Sequence, residues 1–200
     1  MKLSFMDMIS GKGFLSQLQF DAVSTTKIIC FPKNEINQDP IMFETQAFFS
    51  YHHVNAFEYH DSSSVILDIL AYEDGSMANS QHGFLYLKNL MSDEMRKKQI
   101  REGNVWRFHL DVSETRTRIV KPEKKVLTDS KTGMNFGFEL PTVSPAYIGK
   151  EYRYCYGFNG FFMGDVEHGS FMEWSLVKQD LNSSKYQVWH EECEWLKHVY

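Results

Sequence analysis

The sequence is poor in the features that mark several common protein classes. Its three cysteines, Cys30, Cys155 and Cys193, are odd in number and form no C-x-x-C pair, so neither a disulfide framework nor a zinc site is predicted. The G-x-S-x-G motif and the phosphate-binding glycine loop are both missing, which removes the usual hydrolase and nucleotide-binding signatures. No apolar run approaches the roughly 18 residues that a membrane-spanning helix needs.

The sequence also has no large excess of charge of one sign. The net charge is −5, and acidic and basic residues are interspersed along the chain, so no basic stripe develops and nucleic acid is not an expected partner. Asp7 interrupts the apolar N-terminal residues before the apolar core of a signal peptide can form. Together with the isolated thiols, this favours a cytoplasmic protein, with contact to membranes limited to their surface.

Apolar and aromatic residues are abundant, at 42% and 15%, and many of them lie in short runs with β-branched residues. Such runs, separated by turn residues, predict strands. One of them, Val65–Tyr72, is nearly all apolar, as expected for a strand that is buried on both faces. The predicted strands are Lys27–Phe31, Met42–Phe57, Val65–Tyr72, Val105–Val112, Glu151–Phe158, Ser170–Val177 and Tyr186–Trp189.

Only one stretch has the pattern of a helix. Ser92 can cap residues 93–101, which carry acidic residues in the first turn and basic residues later, with Gly103 just past the end. Many strands and one short inserted helix indicate an all-β class. Periodicity alone leaves a sandwich, a barrel and a propeller open.

The densest group of reactive residues surrounds two adjacent histidines, His52 and His53. Side chains alternate between the two faces of a strand, so these two imidazoles point in opposite directions and cannot chelate one ion together. The alternation predicts that His52 shares a face with Val54 and Ala56, and His53 with Asn55 and Phe57. A bare His-His pair in a strand is more often a structural pair than a metal ligand.

Three carboxylates could serve a metal site: Glu58, Asp68 and Glu139. Glu139 stands out because apolar residues enclose it within Phe136–Pro141. A buried carboxylate needs a partner, and the N–H of a metal-bound imidazole is a suitable one, since such a carboxylate orients the ring and makes it more basic. An exposed turn acid before Pro141 is the alternative, and the residues themselves leave both open.

Several motifs in order resemble those of the carotenoid cleavage oxygenases. The His-His-(Ile/Val)-Asn-Ala-(Tyr/Phe)-Glu signature of that family is matched by Tyr51–Glu58, and the other stretches follow at the expected distances. The resemblance runs from about Met1 to Trp195 and is greatest to the animal branch, with the β-carotene oxygenases and the retinoid isomerase. The further matching stretches are Val65–Tyr72, Phe84–Leu90, Phe138–Tyr147 and Gly149–Gly157.

The resemblance implies a seven-bladed β-propeller with a lid over a central Fe(II), held by four histidines from different blades. Outer glutamates hydrogen-bond three of those histidines. By position, His52 matches an iron ligand, His53 its non-ligand neighbour and Glu139 an outer glutamate, while Tyr72 falls where an aromatic residue lines the substrate tunnel. The activity implied is O₂-dependent cleavage of one C=C bond of a carotenoid or apocarotenoid into two carbonyls.

The sequence also departs from the family pattern. Family chains are more than twice as long, and three of the four ligand histidines have no counterpart in residues 1–200; after Trp195 the expected Ser-Glu-Pro motif is replaced by Leu196–Tyr200. We therefore expect one partial carotenoid oxygenase domain of about three blades, inactive by itself. Two alternatives stay open: a non-catalytic remnant that binds an apolar polyene or a protein, and an unrelated all-β domain.

Overall fold

The computed structural model describes residues 20–33, 38–59, 63–75, 103–113, 117–128, 135–159, 175–183 and 185–190. Strands dominate these ranges, and their only helical element is a single 3-10 turn, Pro145–Tyr147. The strands are β1 (Thr26–Cys30), β2 (Ile41–Thr45), β3 (Phe49–Tyr59), β4 (Ser64–Tyr72), β5 (Asn104–Asp111), β6 (Arg118–Ile119), β7 (Glu123–Lys125), β8 (Leu127–Thr128), β9 (Asn135–Phe136), β10 (Glu139–Thr142), β11 (Tyr154–Asn159), β12 (Ser175–Asp180) and β13 (Tyr186–His190).

The all-β expectation is confirmed, with corrections to individual strands. The predicted strand Met42–Phe57 is two strands, β2 and β3, separated by residues 46–48. The predicted strand Ser170–Val177 is described only from Ser175 and continues to Asp180. The predicted helix that Ser92 would cap, and the family stretch Phe84–Leu90, lie outside the described residues. Strands β6 to β10 were not predicted.

The described strands form three sheets and one two-stranded ribbon, β8-β9. The first sheet has the order β1-β2-β6, the second β3-β4-β5-β7 and the third β10-β11-β12-β13. All pairings are antiparallel except β2 with β6. No helix among the described residues is long and apolar enough to cross a membrane.

The second sheet contributes to two hydrophobic cores. Leu70 and Phe57 pack with residues of the third sheet, such as Val177, whereas Ile69 and Trp106 pack with residues of the first sheet. Strand β4 is therefore buried on both faces, as its apolar sequence predicted. We call these the inner core, between the second and third sheets, and the outer core, between the first and second sheets.

A buried charge network connects the second and third sheets within the inner core. Asp68 is fully buried and accepts two hydrogen bonds from Arg107, at 2.9 Å from Nε and 2.8 Å from Nη2. The hydroxyl of Tyr152 donates a third bond to Asp68 at 2.5 Å. Burial and the negative charge of Asp68 raise the pKa of Tyr152 far above its ordinary value, so this hydroxyl keeps its proton.

Strand β11 alternates between a buried and an exposed face. Cys155, Gly157 and Asn159 point inward, while Tyr154, Tyr156 and Phe158 are partly exposed on the other face. Gly157 allows a close approach, because a Cβ there would lie 2.2 Å from Phe138 Cδ2 and 2.7 Å from the backbone oxygen of Glu139. This close approach fixes the position of β10, which carries Glu139, against β11.

Candidate functional site

A β-bulge in β3 determines which way the signature residues point. His52 pairs with Leu70 and His53 with Ile69, but Asn55 pairs with Asp68, so β3 has one residue, Val54, more than β4 across this step. Residues opposite each other on neighbouring strands share a face. Since Leu70 belongs to the inner core and Ile69 to the outer core, His52 faces the third sheet and His53 faces the first.

The bulge corrects the face assignment made from simple alternation. Beyond the extra residue the alternation is inverted, so Asn55 and Phe57 share the face of His52, and Ala56 shares the face of His53. The prediction that the two imidazoles point in opposite directions is confirmed, while the predicted companions of each are wrong except for Val54.

His52 and Glu139 are in direct contact, although 87 positions separate them in the chain. Nδ1 of His52 lies 2.9 Å from Oε2 of Glu139. The same oxygen accepts the backbone N–H of Leu140 at 3.2 Å, so Oε2 acts as the acceptor and the imidazole donates its Nδ1–H. This leaves Nε2 of His52 with its lone pair free, and the His52 side chain is 39% exposed.

Glu139 begins the edge strand β10 of the third sheet and is mostly buried. Burial raises the pKa of its carboxyl group, while the hydrogen bonds from Leu140 N–H and His52 act in the opposite direction. Its second oxygen, Oε1, is buried without a hydrogen-bond partner among the described residues. The next residue, Leu140, has a φ of 51°, the left-handed region that a residue with a Cβ rarely occupies.

Aromatic side chains surround the exposed edge of His52. Tyr51 lies edge-on against Phe49, with ring centroids 4.7 Å apart, and edge-on against Tyr72 at 6.1 Å. Burial, together with the negative charge of Glu139, raises the pKa of Tyr51 to about 12. Tyr72 is buried, and its hydroxyl has no hydrogen-bond partner among the described residues. The wall beside the imidazole is thus aromatic and carries uncharged hydroxyl groups.

The other two carboxylates considered for a metal site, Asp68 and Glu58, form no ligand group with this pair. Asp68 accepts hydrogen bonds from Arg107 and Tyr152, and Glu58 is exposed at the far end of β3. His53, matched to the non-ligand neighbour, is exposed on the other face. Within the described ranges no group of three or more potential metal ligands occurs. In the described part of the chain, His52 offers to a metal ion an imidazole whose Nδ1 is hydrogen-bonded to a carboxylate, whereas the exposed His109 lies 3.9 Å from Glu123, beyond hydrogen-bond distance.

An imidazole in this state suits a metal ion of intermediate hardness such as Fe(II). Its Nδ1–H is held by a carboxylate, which fixes the tautomer, orients the ring and increases the basicity of Nε2. The chemistry of this donor therefore fits one position of an all-histidine iron shell. The roles of His52, Glu139 and Tyr72 are not decided by this geometry and stay predictions.

Sequence reasoning did not identify two residues of this region, Tyr51 and Asn55. Tyr51 contacts Tyr72 and responds to the charge of Glu139. Asn55 is buried and hydrogen-bonded to the turn that follows β10. A signal existed for Asn55, because asparagine is depleted in strands and one inside an apolar strand needs a partner.

Comparison with known proteins gives a consistent result. Residues 1–198 match the family described as Retinal pigment epithelial membrane protein, RPE65. The chain is 28% identical over 201 residues to the Beta,beta-carotene 15,15'-dioxygenase of Mus musculus, covering 92% of this chain and 33% of that protein. It is 28% identical over 170 residues to the Apocarotenoid-15,15'-oxygenase of Synechocystis, covering 83% of this chain and 28% of that protein.

Solved structures share its fold. An ACO/RPE65 chimera superposes with a TM-score of 0.66 at 22% identity, over 94% of this chain and 34% of the chimera. Cobalt-substituted Synechocystis ACO superposes with a TM-score of 0.61 at 22% identity, over 88% of this chain and 31% of that one. The chain spans about a third of the length of the curated relatives it matches. Because the family match extends over nearly every residue, the chain belongs to the RPE65/carotenoid oxygenase family.

Proposed function

We propose that this chain is part of an Fe(II)-dependent dioxygenase that cleaves one C=C bond of a carotenoid or apocarotenoid. The observation that carries the proposal is the contact between His52 Nδ1 and Glu139 Oε2 at 2.9 Å, in a chain of this family. In the reaction one double bond and one O₂ give two carbonyl groups, so both oxygen atoms enter the products. Residues 1–200 form one partial domain, and the three sheets correspond to about three blades of a seven-bladed propeller.

His52 supplies one nitrogen ligand through Nε2, and Fe(II), when bound, supplies the position at which O₂ is activated. Glu139 keeps the proton on Nδ1 and so holds the imidazole in the tautomer that can bind a metal. Phe49 and Tyr51, which are partly exposed and pack on the buried Tyr72, form an aromatic surface on which an apolar polyene can lie. Such a substrate dissolves in lipid, which supports a cytoplasmic protein that contacts membranes at their surface.

The test places this chain in the rest of the enzyme. The matching third of the Synechocystis oxygenase is replaced by residues 1–200, and iron content and O₂-dependent aldehyde formation from an apocarotenoid are measured. His53→Ala is the matched control for His52→Ala, because the two imidazoles are adjacent but lie on opposite faces. We expect His52→Ala to lose iron and product, and His53→Ala to keep both. Iron retained by His52→Ala would refute the ligand assignment.

The isolated chain gives a second result. We expect purified residues 1–200, loaded anaerobically with Fe(II), to hold far less than one iron per chain and to form no product. A stoichiometric iron that disappears in His52→Ala, together with aldehyde product, would contradict this, because it would show that the missing ligands are supplied by another copy.

A second candidate function is non-catalytic binding of an apolar polyene or a protein at the third sheet. It is favoured by a row of partly exposed apolar side chains on one face of that sheet. Binding there would persist in His52→Ala and would weaken when the row is made polar, which distinguishes it from binding beside the imidazole. The row consists of Tyr154, Tyr156, Phe158, Leu176 and Trp189.

A further inference from the structure

Asn55 fastens the turn that follows β10 to the second sheet. Its Nδ2 donates to the carbonyl of Tyr147 at 3.0 Å and to that of Lys150 at 3.3 Å, and its Oδ1 accepts the N–H of Gly149 at 3.0 Å. Asn55 is buried, and a side-chain amide offers two donor hydrogens and one acceptor oxygen. All of its polar groups are therefore engaged with this one turn.

Residues 144–150 bury no side chain of their own, whereas Val143 before them and Tyr152 after them belong to the inner core. The 3-10 segment Pro145–Tyr147 contains no buried residue, and Tyr147 and Ile148 expose most of their side chains. Gly149, with a φ of 71°, reverses the chain direction so that its N–H points to the amide of Asn55. Since apolar burial contributes little within residues 144–150, the hydrogen bonds of Asn55 hold the backbone of these residues against β3, between the buried Val143 and Tyr152.

The turn and the site are parts of one unit. Glu139 starts β10, β10 runs directly into the turn, and β10 contacts β3. On β3, His52 and Asn55 share the face toward the third sheet because of the intervening bulge. The segment 139–150 is thus joined to β3 at two polar points, one at His52 and one at Asn55.

We propose that Asn55 is a positioning residue, which holds Glu139 against His52 and thereby keeps the proton of His52 on Nδ1 and its Nε2 free. This role of Asn55 rests on the proposed function, because the tautomer of His52 matters for metal binding. The contacts that support it lie entirely within this chain. The hydrogen bonds of Asn55 go to residues 147–150 and not to the imidazole or the carboxylate, so it acts through the turn and β10.

The test measures the tautomer of His52 in the metal-free 200-residue chain. Long-range ¹H–¹⁵N spectra of histidine-labelled protein, recorded at about pH 8, above the ordinary pKa of an imidazole, give the share of His52 that carries its proton on Nδ1. In the unsubstituted chain we expect the Nδ1–H form to dominate. In Asn55→Ala we expect its share to fall by about twofold or more, because the carboxylate that selects this tautomer is no longer held.

Two further variants separate positioning from general stability. Asn55→Asp keeps the acceptor for Gly149 N–H and loses both donors, so it should give a smaller shift in the same direction. Gln179→Ala is the matched control: it removes another buried side-chain amide, which donates to the carbonyl of Lys125 at 2.8 Å and does not contact the turn. We expect this control to lower stability and to leave the tautomer of His52 unchanged.

The tautomer of His52 is measured without iron, so the result does not depend on metal binding. A His52 tautomer that is unchanged in folded Asn55→Ala, or that shifts equally in Gln179→Ala, would overturn the positioning role of Asn55. So would loss of the folded amide spectrum in both Asn55 variants, because Asn55 would then be required for folding and not for positioning. Since no metal or substrate is present, an inactive or iron-free chimera refutes the proposed function and leaves this result untouched.

Discussion

Asn55 and Asp68 lie directly opposite each other on β3 and β4, and each holds one end of the same segment of the chain. Asn55 binds the backbone of residues 147–150, and Asp68 binds the hydroxyl of Tyr152. The connection from β10 to β11 is therefore anchored to the second sheet by two polar side chains at paired positions.

Breaking the buried ion pair of Asp68 and Arg107 should greatly lower the free energy of unfolding. Asp68→Asn leaves the guanidinium, whose side chain is only 12% exposed, without its counter-charge. We expect the free energy of unfolding, measured by urea denaturation, to fall by about 3–5 kcal/mol. Glu73→Gln is the control, since it breaks an exposed ion pair with Lys124 and should cost about 1 kcal/mol or less. Similar costs for both would contradict the network.

The buried thiol of Cys155 should make the free energy of unfolding fall at alkaline pH. Burial, together with the charge of Asp68, raises its pKa from 9.0 to about 12 in the folded chain. The unfolded chain releases this proton first, so the stabilisation is complete below about pH 9 and is lost as pH rises toward 12, with a maximum of ~4 kcal/mol. Unfolding free energies of the unsubstituted chain and Cys155→Ala, compared across this range, should converge as pH rises. A constant difference would contradict the prediction.

A side chain at position 157 of β11 should collide with the strand that carries Glu139. In Gly157→Ala the added methyl group meets the ring of Phe138 and the backbone of Glu139, so we expect a loss of about 2–3 kcal/mol and a displaced carboxylate. Gly149→Ala, where no atom lies within 4 Å of the added Cβ, should cost only about 1 kcal/mol through its positive φ. Thermal denaturation measures both costs, and an equal cost would argue against the close approach.

Replacing Leu140 by glycine should stabilise the fold, because Leu140 has a positive φ. Its φ of 51° costs about 1–2 kcal/mol for a residue with a Cβ, and glycine removes this cost but loses about 0.5–1 kcal/mol through a freer unfolded chain. We expect Leu140→Gly to raise the free energy of unfolding by about 0.5 kcal/mol, on this balance. Leu176→Gly, within β12 and similarly exposed, should instead lower it by about 1 kcal/mol. A loss in both variants would refute the strain at Leu140.

The apolar sequence of β4 was sufficient to predict its burial on both faces, because such burial depends on local composition, which the sequence displays. The apolar residues around Glu139 left a buried carboxylate with a partner and an exposed turn acid both open. The resemblance matched His52 to a ligand and Glu139 to an outer glutamate without pairing the two, and their contact across 87 positions carries no local signal in the sequence. The role of His52 in metal binding stays a prediction.

The bulge at Val54 and the short strands β6 to β10 could not be predicted from the sequence. An alternating pattern assumes that both paired strands advance together, and the extra residue of β3 becomes visible only in its register with β4. A strand of two or three charged residues, such as Glu123–Lys125, has no strand propensity of its own and forms because β5 offers a free edge.

The distance in sequence between His52 and Glu139 also bears on the order of assembly. Strands β3 and β4 are neighbours in the chain, whereas the imidazole meets its carboxylate only across 87 positions. Contacts between distant residues form after local ones, because the entropy of loop closure opposes them first. During synthesis His52 therefore emerges before Glu139, and until the carboxylate arrives neither the tautomer nor the orientation of its imidazole is fixed. A metal ion that requires this tautomer and orientation would bind only after the third sheet has packed against the second.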